Sequence, residues 1–418
     1  MFSLLKNSLY LRFWLGQVIS QLGDGITRIG ITYLVATLSK DPLLIGLVIF
    51  AQLLPTAVFG IFLGPLADQW NRRWLMVSAD LYRMAMVIAM IFFYDSVPAL
   101  IILTAFHGIG TALFDPARTS SIPELAGESN ISEAISLSQS TKAAMDIIGP
   151  SLGALLLMSK QYSIIFLIDA ATFAGSALLL FTLFSIGKVH ANPPEDKKTY
   201  LSFITSGIKE VTGMPSLRFL LLLLLPITLV VGILNTNLVA VLTTTFHVSA
   251  FHFSLIESSM AIGVIIGAAW FGPYLMKRLK ANALLISGTA VIGIWMALIL
   301  PLDWIREETG IGAIYIWCTL IGVFNALINV PLSTLFLQVT PPAFRGRGSS
   351  LLGLTSSSAQ MIGILFGGWI AKETGVLYGT ALSGLLLILV AVILPFGKGY
   401  KNLSNSDHRK KRKEAAAI

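Results

Sequence analysis

Charge is scarce in this chain and cysteine almost absent. Of 418 residues only 12% are Asp, Glu, Lys or Arg, 55% are hydrophobic, and mean hydropathy is +0.80. Soluble domains carry roughly a quarter charged residues, so this scarcity excludes an ordinary soluble domain and points to an integral membrane protein. The one cysteine, Cys318, lies in an apolar run, which excludes an intramolecular disulfide and any multi-cysteine metal site. There is no Gly-four residues-Gly-Lys-Ser/Thr loop, so the chain supplies no ATP hydrolysis of its own. Neither is there a His-Glu-two residues-His motif or another clustered metal site. No enzyme activity, cofactor or metal is expected. A small-residue cleavage site after a short apolar core is also lacking, so the amino-terminal stretch is read as the uncleaved start of a first helix.

Apolar runs fill the rest. A spanning helix needs about 20 mostly apolar residues, and twelve segments qualify, near 10–38, 42–68, 74–94, 97–120, 133–158, 162–187, 217–246, 251–276, 282–304, 309–337, 347–372 and 375–396. Alternate loops carry Arg72 and Arg73, Arg118, Lys188 to Lys209, Lys277 to Lys280, Arg345 and Arg347, and the tail Arg409 to Lys413; the opposite loops hold only Lys40, Lys160, Arg306 and Lys372. Basic loops stay in the cytoplasm, which places both termini there. The net charge of +8 is thereby explained without a nucleic-acid partner, and the tail anchors near anionic lipid. The polar stretch 188–216, with a short amphipathic helix from Tyr200 to Val211, divides the chain into bundles at 1–187 and 217–396, followed by a basic tail at 397–418.

The two halves look like copies. Gly64-Pro65 recurs as Gly272-Pro273, again before a basic loop, and Ile148-Gly149-Pro150-Ser151-Leu152-Gly153 recurs as Ile362-Gly363-Ile364-Leu365-Phe366-Gly367, both about 210 residues on. Both copies cross in the same direction, a parallel repeat of the kind transporters rock about a mid-membrane site.

Gly64-Pro65-Leu66-Ala67-Asp68-Gln69-Trp70-Asn71-Arg72-Arg73 reads as a tight hairpin between two membrane helices. Asn71 would supply the left-handed residue of the turn, and Arg72 and Arg73 would fix it on the cytoplasmic side. The stretch resembles the loop between the second and third helices of the major facilitator superfamily. Gly64, Asp68, Arg72 and Arg73 match that pattern; Gln69 replaces its basic residue and Asn71 its glycine. Gly149, Pro150 and Gly153 resemble part of the family's antiporter motif, with Met145 and Ala154 in place of two glycines. Pro150 bends the helix and small residues admit a close neighbour; a functional hinge and ordinary close packing both fit. Ser20-Gln21-Leu22-Gly23-Asp24-Gly25 and Phe114-Asp115-Pro116-Ala117-Arg118 resemble the prokaryotic branch of drug and siderophore exporters, which includes macrolide efflux proteins and the enterobactin exporter.

A charge inside the membrane costs at least ~2.5–3.5 kcal/mol on insertion scales, yet several are kept. Asp24 and Arg28 are four apart on the first segment, as are Lys142 and Asp146 on the fifth. Counting ~1.5 Å per residue puts Asp24 and Asp146 near the middle of a ~30 Å core. Two internal pairs, Asp24 with Arg28 and Lys142 with Asp146, would form a polar cluster in the amino-terminal half, either as a coupling site or as a neutral network that orders the helices. Glu257 and Asp169 have no basic residue three or four positions away. Burial without a cation disfavours the charged form, the property a proton carrier needs, and Glu257 is preferred because the family's third helix of each triplet stands outside its central cavity. Asp80 and Arg83 read as structural and His107 as an interior hydrogen-bonded residue. Asp115, at the cytoplasmic end of the fourth segment, would pair with Arg72 or Arg73, and Glu124 to Glu133 read as solvated connection.

The resemblance implies an all-α fold of 12 transmembrane helices in two six-helix bundles. It also implies alternating access in a monomeric cell-membrane protein, exporting amphiphilic small molecules against inward proton movement. At ~2.3 kcal/mol per charge per 100 mV and ~1.36 per tenfold ratio, one proton sustains roughly a 50-fold gradient of neutral solute. A lysophospholipid flippase of the same fold and a uniporter of small polar solutes remain open at this point.

Overall fold

The computed structural model describes residues 4–127, 130–183, 215–340, 345–396 and 400, with side chains at all of these except 60–69, 132, 345–347, 349 and 350. The linker, the amphipathic helix expected at Tyr200 to Val211, the Pro341-Pro342 turn and the basic tail lie outside the described residues.

Helix follows helix: α1 Ser8–Ser39, α2 Pro42–Gln69, α3 Arg72–Phe92, α4 Val97–Ala126, α5 Ile131–Leu157, α6 Tyr162–Phe181, α7 Pro215–Ala240, α8 Ala250–Ile266, α9 Gly272–Arg278, α10 Ala281–Ala297, α11 Ile299–Thr309, α12 Gly312–Val339, α13 Arg345–Thr374 and α14 Val376–Ile393. Short polar residues set the starts. Asn7 accepts from Leu9 N at 3.0 Å to begin α1, and Asp41 accepts from Leu43 N at 2.9 Å to begin α2; each satisfies an amide the helix leaves orphaned. Asn71 is extended, with φ −65° and ψ 112°, where the sequence had pointed to a left-handed residue. Its side chain caps α3 through Arg73 N and Trp74 N, and capping requires that extended backbone.

Nine helices among the described residues are long and apolar enough to cross a membrane, or ten when α10 and α11 count as one span. Those two meet at a 54° bend, where one straight segment had been expected. Pro301 has no amide to bond the carbonyl of Ala297, which breaks the ladder at the join. α1 and α5 are long enough but fall outside this apolar group; they carry Asp24, Arg28, Lys142 and Asp146. α4 runs six residues beyond the end expected at 120, with Pro116 and Pro123 inside it.

Contacts divide the chain into two compact units, Met1–Asn192 with Val239–Ser258, and Pro193–Leu238 with Ser259–Ile418. Phe92, Leu178, Trp270 and Trp304 are exposed, as lipid-facing side chains must be. Among the described residues the first unit holds a small apolar cluster of Ile26, Leu157 and Ile165 and two larger ones. One gathers Tyr10, Phe13, Leu75, Met76, Phe114 and Leu180; the other gathers Ile31, Leu34, Val87, Met90, Leu100 and Phe173. Between them, along α1, α3 and α4, lie Ser20 to Arg28, Asp80 to Arg83 and His107. Apolar packing flanks this polar layer, and at its buried end around Arg83 the effective dielectric is low and charge interactions are strong.

Candidate functional site

Arg83 is the hub of that layer. Its side chain is 2% exposed, and its Nη1 reaches Asp24 Oδ2 at 3.2 Å. Nη2 donates to Asp80 Oδ1 and to Ser20 Oγ, the latter at 3.3 Å. The guanidinium lies between two rings, 4.5 Å from the centroids of Phe114 and Phe173, a setting that favours a desolvated cation. Gly110 makes room for its stem, since a Cβ there would lie 2.5 Å from Arg83 Cγ. His107 Nε2 stands 3.6 Å from Asp24 Oδ1 with no hydrogen-bond partner, and its ring packs on Phe173. Asp24 is 31% exposed on its side chain, so one end of the network opens outward.

Asp24 therefore does not pair with Arg28. Arg28 instead meets Asp146 of α5 at 3.5 Å, and Lys142 meets the other oxygen of Asp146 at 3.2 Å. A residue four further along a helix is rotated by about 40°; here that turns Asp24 toward α3 and Arg28 toward α5. The Arg28, Asp146 and Lys142 side chains are about half exposed, so each such pair contributes at most ~1 kcal/mol. α1 and α5 touch backbone to backbone just beside them. A Cβ on Gly25 would lie 2.9 Å from Gly149 Cα and 3.1 Å from Pro150 Cδ, and one on Gly153 would lie 2.8 Å from Ile26 O.

At the hairpin end, Gly64 and Asp68 lie in α2, but their side chains fall outside the described residues. Arg72 is buried. Its Nη1 donates to Ser120 O at 2.7 Å, in a turn crowded by Pro123, and pairs with Glu124 Oε2 at 3.7 Å. Asp115 pairs with Arg118 at 3.4 Å and with neither Arg72 nor Arg73. Because α4 continues through Ala126, Glu124 stands on a helix facing Arg72, not in a solvated connection, and Asp115 is satisfied within its own turn. Arg73 stacks over Trp74 and Phe181 at 5.1 and 4.9 Å. Arg118 also donates to Ser138 Oγ at 2.9 Å and Gln17 Oε1 at 3.4 Å, tying α4 to α5 and α1. Glu257 falls in the part of α8 that belongs to the first unit.

The second unit repeats the glycine crossing with other residues. A Cβ on Gly363 of α13 would lie 2.0 Å from Leu229 O of α7, and one on Gly367 would lie 2.7 Å from Ile233 Cα. It does not repeat the charge: no Asp, Glu, Lys or Arg occurs in 219–238, 259–276, 281–302, 309–344 or 348–371. A cavity of about 130 Å³ lies inside this unit, walled by apolar side chains including Met260, Ile292 and Met296, with Asn235 and Asn325 as its amides. Asn325 accepts from Asn329 Nδ2 at 2.6 Å. Among the described residues no group of three or more His, Cys, Asp and Glu could hold a metal ion.

The sequence reading missed Arg83 as the partner of Asp24. The signal available was its presence at all, since an arginine kept in an apolar helix must find an anion.

Comparisons agree with this architecture. Macrolide efflux protein A of Streptococcus pyogenes is 26% identical over 389 residues, covering 91% of this chain and 94% of that protein. Enterobactin exporter EntS of Citrobacter koseri is 24% identical over 406 residues, covering 94% and 92%. The crystal structure of the nucleoside transporter NupG aligns with a TM-score of 0.73 at 16% identity, covering 92% of this chain and 98% of that one, a likeness of fold alone. Residues 13–336 match the Major Facilitator Superfamily, and the protein is a multi-pass membrane transporter of that family, not an enzyme.

Proposed function

We propose that the protein is a proton-coupled exporter of amphiphilic small molecules, of the macrolide or siderophore kind, working by alternating access. It acts as a monomer in the cell membrane with both termini in the cytoplasm. The carrying observation is the division of labour by charge. The first unit holds acids gathered around one buried arginine and open to the outside at Asp24, while the membrane-embedded stretches of the second hold none. A group that changes charge in a low dielectric changes the relative energies of two conformations strongly. The apolar cavity of the second unit, with its two amides, offers a largely apolar ligand a few hydrogen-bonding groups; at about 130 Å³ it has to widen during the cycle to admit a macrolide. The names of the relatives support efflux of such molecules. The gate reading of Gly64, Asp68, Arg72 and Arg73 rests on the family resemblance and on the anchoring of Arg72 to α4. Glu257, Lys142 and Asp146 belong to the same proposal as charges that border the layer.

The test is a panel of labelled macrolides, siderophores and lysophospholipids in proteoliposomes with imposed pH and voltage gradients. Uphill movement of a macrolide or siderophore that collapses with the proton gradient is expected. Transport indifferent to both gradients, or of lysophospholipid alone, would overturn the reading.

A further inference from the structure

Asp169 of α6, which the sequence reading placed second to Glu257, is completely buried. Thr172 Oγ1 donates to the Asp169 backbone carbonyl at 2.7 Å and shares that proton with Oδ1 at 3.2 Å, while Oδ2 has no hydrogen-bond partner. Among the described residues it forms no ion pair. α1 covers it at Gly23, where a Cβ would lie 2.3 Å from Asp169 Oδ1 and 2.0 Å from Thr172 Oγ1. Only glycine leaves space for this acid, and the next residue is Asp24.

The charged groups facing Asp169 are Asp24 on α1 and Arg83 on α3; Asp80 and His107 stand behind them, against Arg83 and Asp24. Three carboxyls thus share a single guanidinium, whose donors are already directed to Asp24, Asp80 and Ser20. An ionised carboxylate buried without a cation costs several kcal/mol even after relaxation, and such a group avoids that cost by holding a proton. Other buried polar atoms in this layer also lack partners: Thr27 Oγ1, Thr104 Oγ1, Ser176 Oγ and Asp80 Oδ2. Of these, Thr27 adjoins Asp169 and Ser176 adjoins Asp80, hydroxyls able to pass a proton.

We propose that Asp169 is a proton-binding site of the transport cycle, charged through Asp24. The proton arrives on the partly exposed Asp24. The Asp24 O–H bond then breaks as an O–H bond forms on Asp169 Oδ2, and Asp24 returns as a carboxylate to Arg83. Separation of α1 from α6 at Gly23 admits water to Oδ2 and releases the proton. This rests on the proton-coupled reading above.

The experiment uses the full chain in proteoliposomes with a labelled macrolide, comparing uphill accumulation under a pH gradient with macrolide exchange at equal concentrations. In Asp169→Asn, whose amide resembles the protonated acid, uphill accumulation should fall at least tenfold while exchange stays within twofold of wild type. Thr172→Val removes a hydroxyl that favours the carboxylate and should move the pH profile of uphill transport about one unit toward alkaline. Unchanged accumulation and pH profile in Asp169→Asn would overturn the assignment. Equal loss of accumulation and exchange would do the same, since it marks a structural residue. Should Asp169→Asn fail to insert, an unshifted profile in Thr172→Val overturns it and a shifted one supports it. A wild-type protein that transports macrolide without any proton dependence defeats the coupling reading itself, and this site with it.

Discussion

Asp24 is held across the bundle by Arg83 at 3.2 Å, and not by Arg28 one turn away on its own helix. That single exchange of partners changes which substitutions should be damaging. Arg83 pairs with two acids, Asp24 and Asp80, so Arg83→Gln leaves both without their cation. Breaking a buried pair from one side costs ~3–5 kcal/mol. Asp24→Asn leaves Arg83 balanced by Asp80 and should cost far less. Thermal unfolding in detergent should rank Arg83→Gln well below Asp24→Asn, and Asp80→Asn combined with Arg83→Gln should recover part of the loss. Equal stability of the two single variants would show that Arg83 is not the hub.

The glycine crossings give a second expectation. Gly149→Ala places a Cβ 2.8 Å from Gly25 Cα, and Gly363→Ala places one 2.0 Å from Leu229 O, backbone against backbone in both units. Overpacking of this kind costs ~1–3 kcal/mol or more. Gly353, with nothing within 4 Å of its added Cβ, is the control; Gly353→Ala inside α13 should be neutral or stabilising by ~0.5–1 kcal/mol. Melting temperatures of the three purified variants decide it.

How much of this was legible beforehand depended on the range of the interaction. Helix spans follow from local hydropathy, and the crossing glycines from their spacing, so Gly149 with Gly153 and Gly363 with Gly367 stood out in the sequence. Lys142 and Asp146, one turn apart, also pair as their spacing implies. The pairing of Asp24 was not legible, because helix rotation within a bundle is set by packing among α1, α3 and α4, which no single helix encodes. Asn71 was misread for a similar reason: the same residue serves a left-handed turn or an extended cap, and α3 needed the cap. The fourth segment, expected to end near 120, runs on through Ala126 with Pro123 inside it, and Arg72 bonds the carbonyl of Ser120 there.

At the hairpin, Arg72 is secured by a 2.7 Å bond to Ser120 O and by a longer 3.7 Å pair with Glu124. Arg72→Ala should therefore lower transport per inserted molecule about tenfold, in line with a charged-group hydrogen bond of ~1.5–3 kcal/mol. Glu124→Gln should change it less than twofold, as a partly exposed pair contributes under ~1 kcal/mol. Initial-rate uptake normalised to surface-labelled protein separates the two. The reverse order would place the gate contact on Glu124.

In the second unit, Asn235→Leu and Asn325→Leu should raise the KM for a macrolide about tenfold, the equivalent of ~1.4 kcal/mol, and leave the proton dependence of transport unaltered. A changed pH profile with unchanged KM would move the ligand contact elsewhere.

The most direct measurement is macrolide accumulation in proteoliposomes after an imposed pH step with the voltage clamped to zero, in wild type and in Asp24→Asn. Wild type should concentrate the macrolide up to the ratio set by the proton gradient, and Asp24→Asn should only equilibrate it. Equal accumulation by both proteins, or accumulation by wild type without a pH step, would contradict coupling through the Arg83 network.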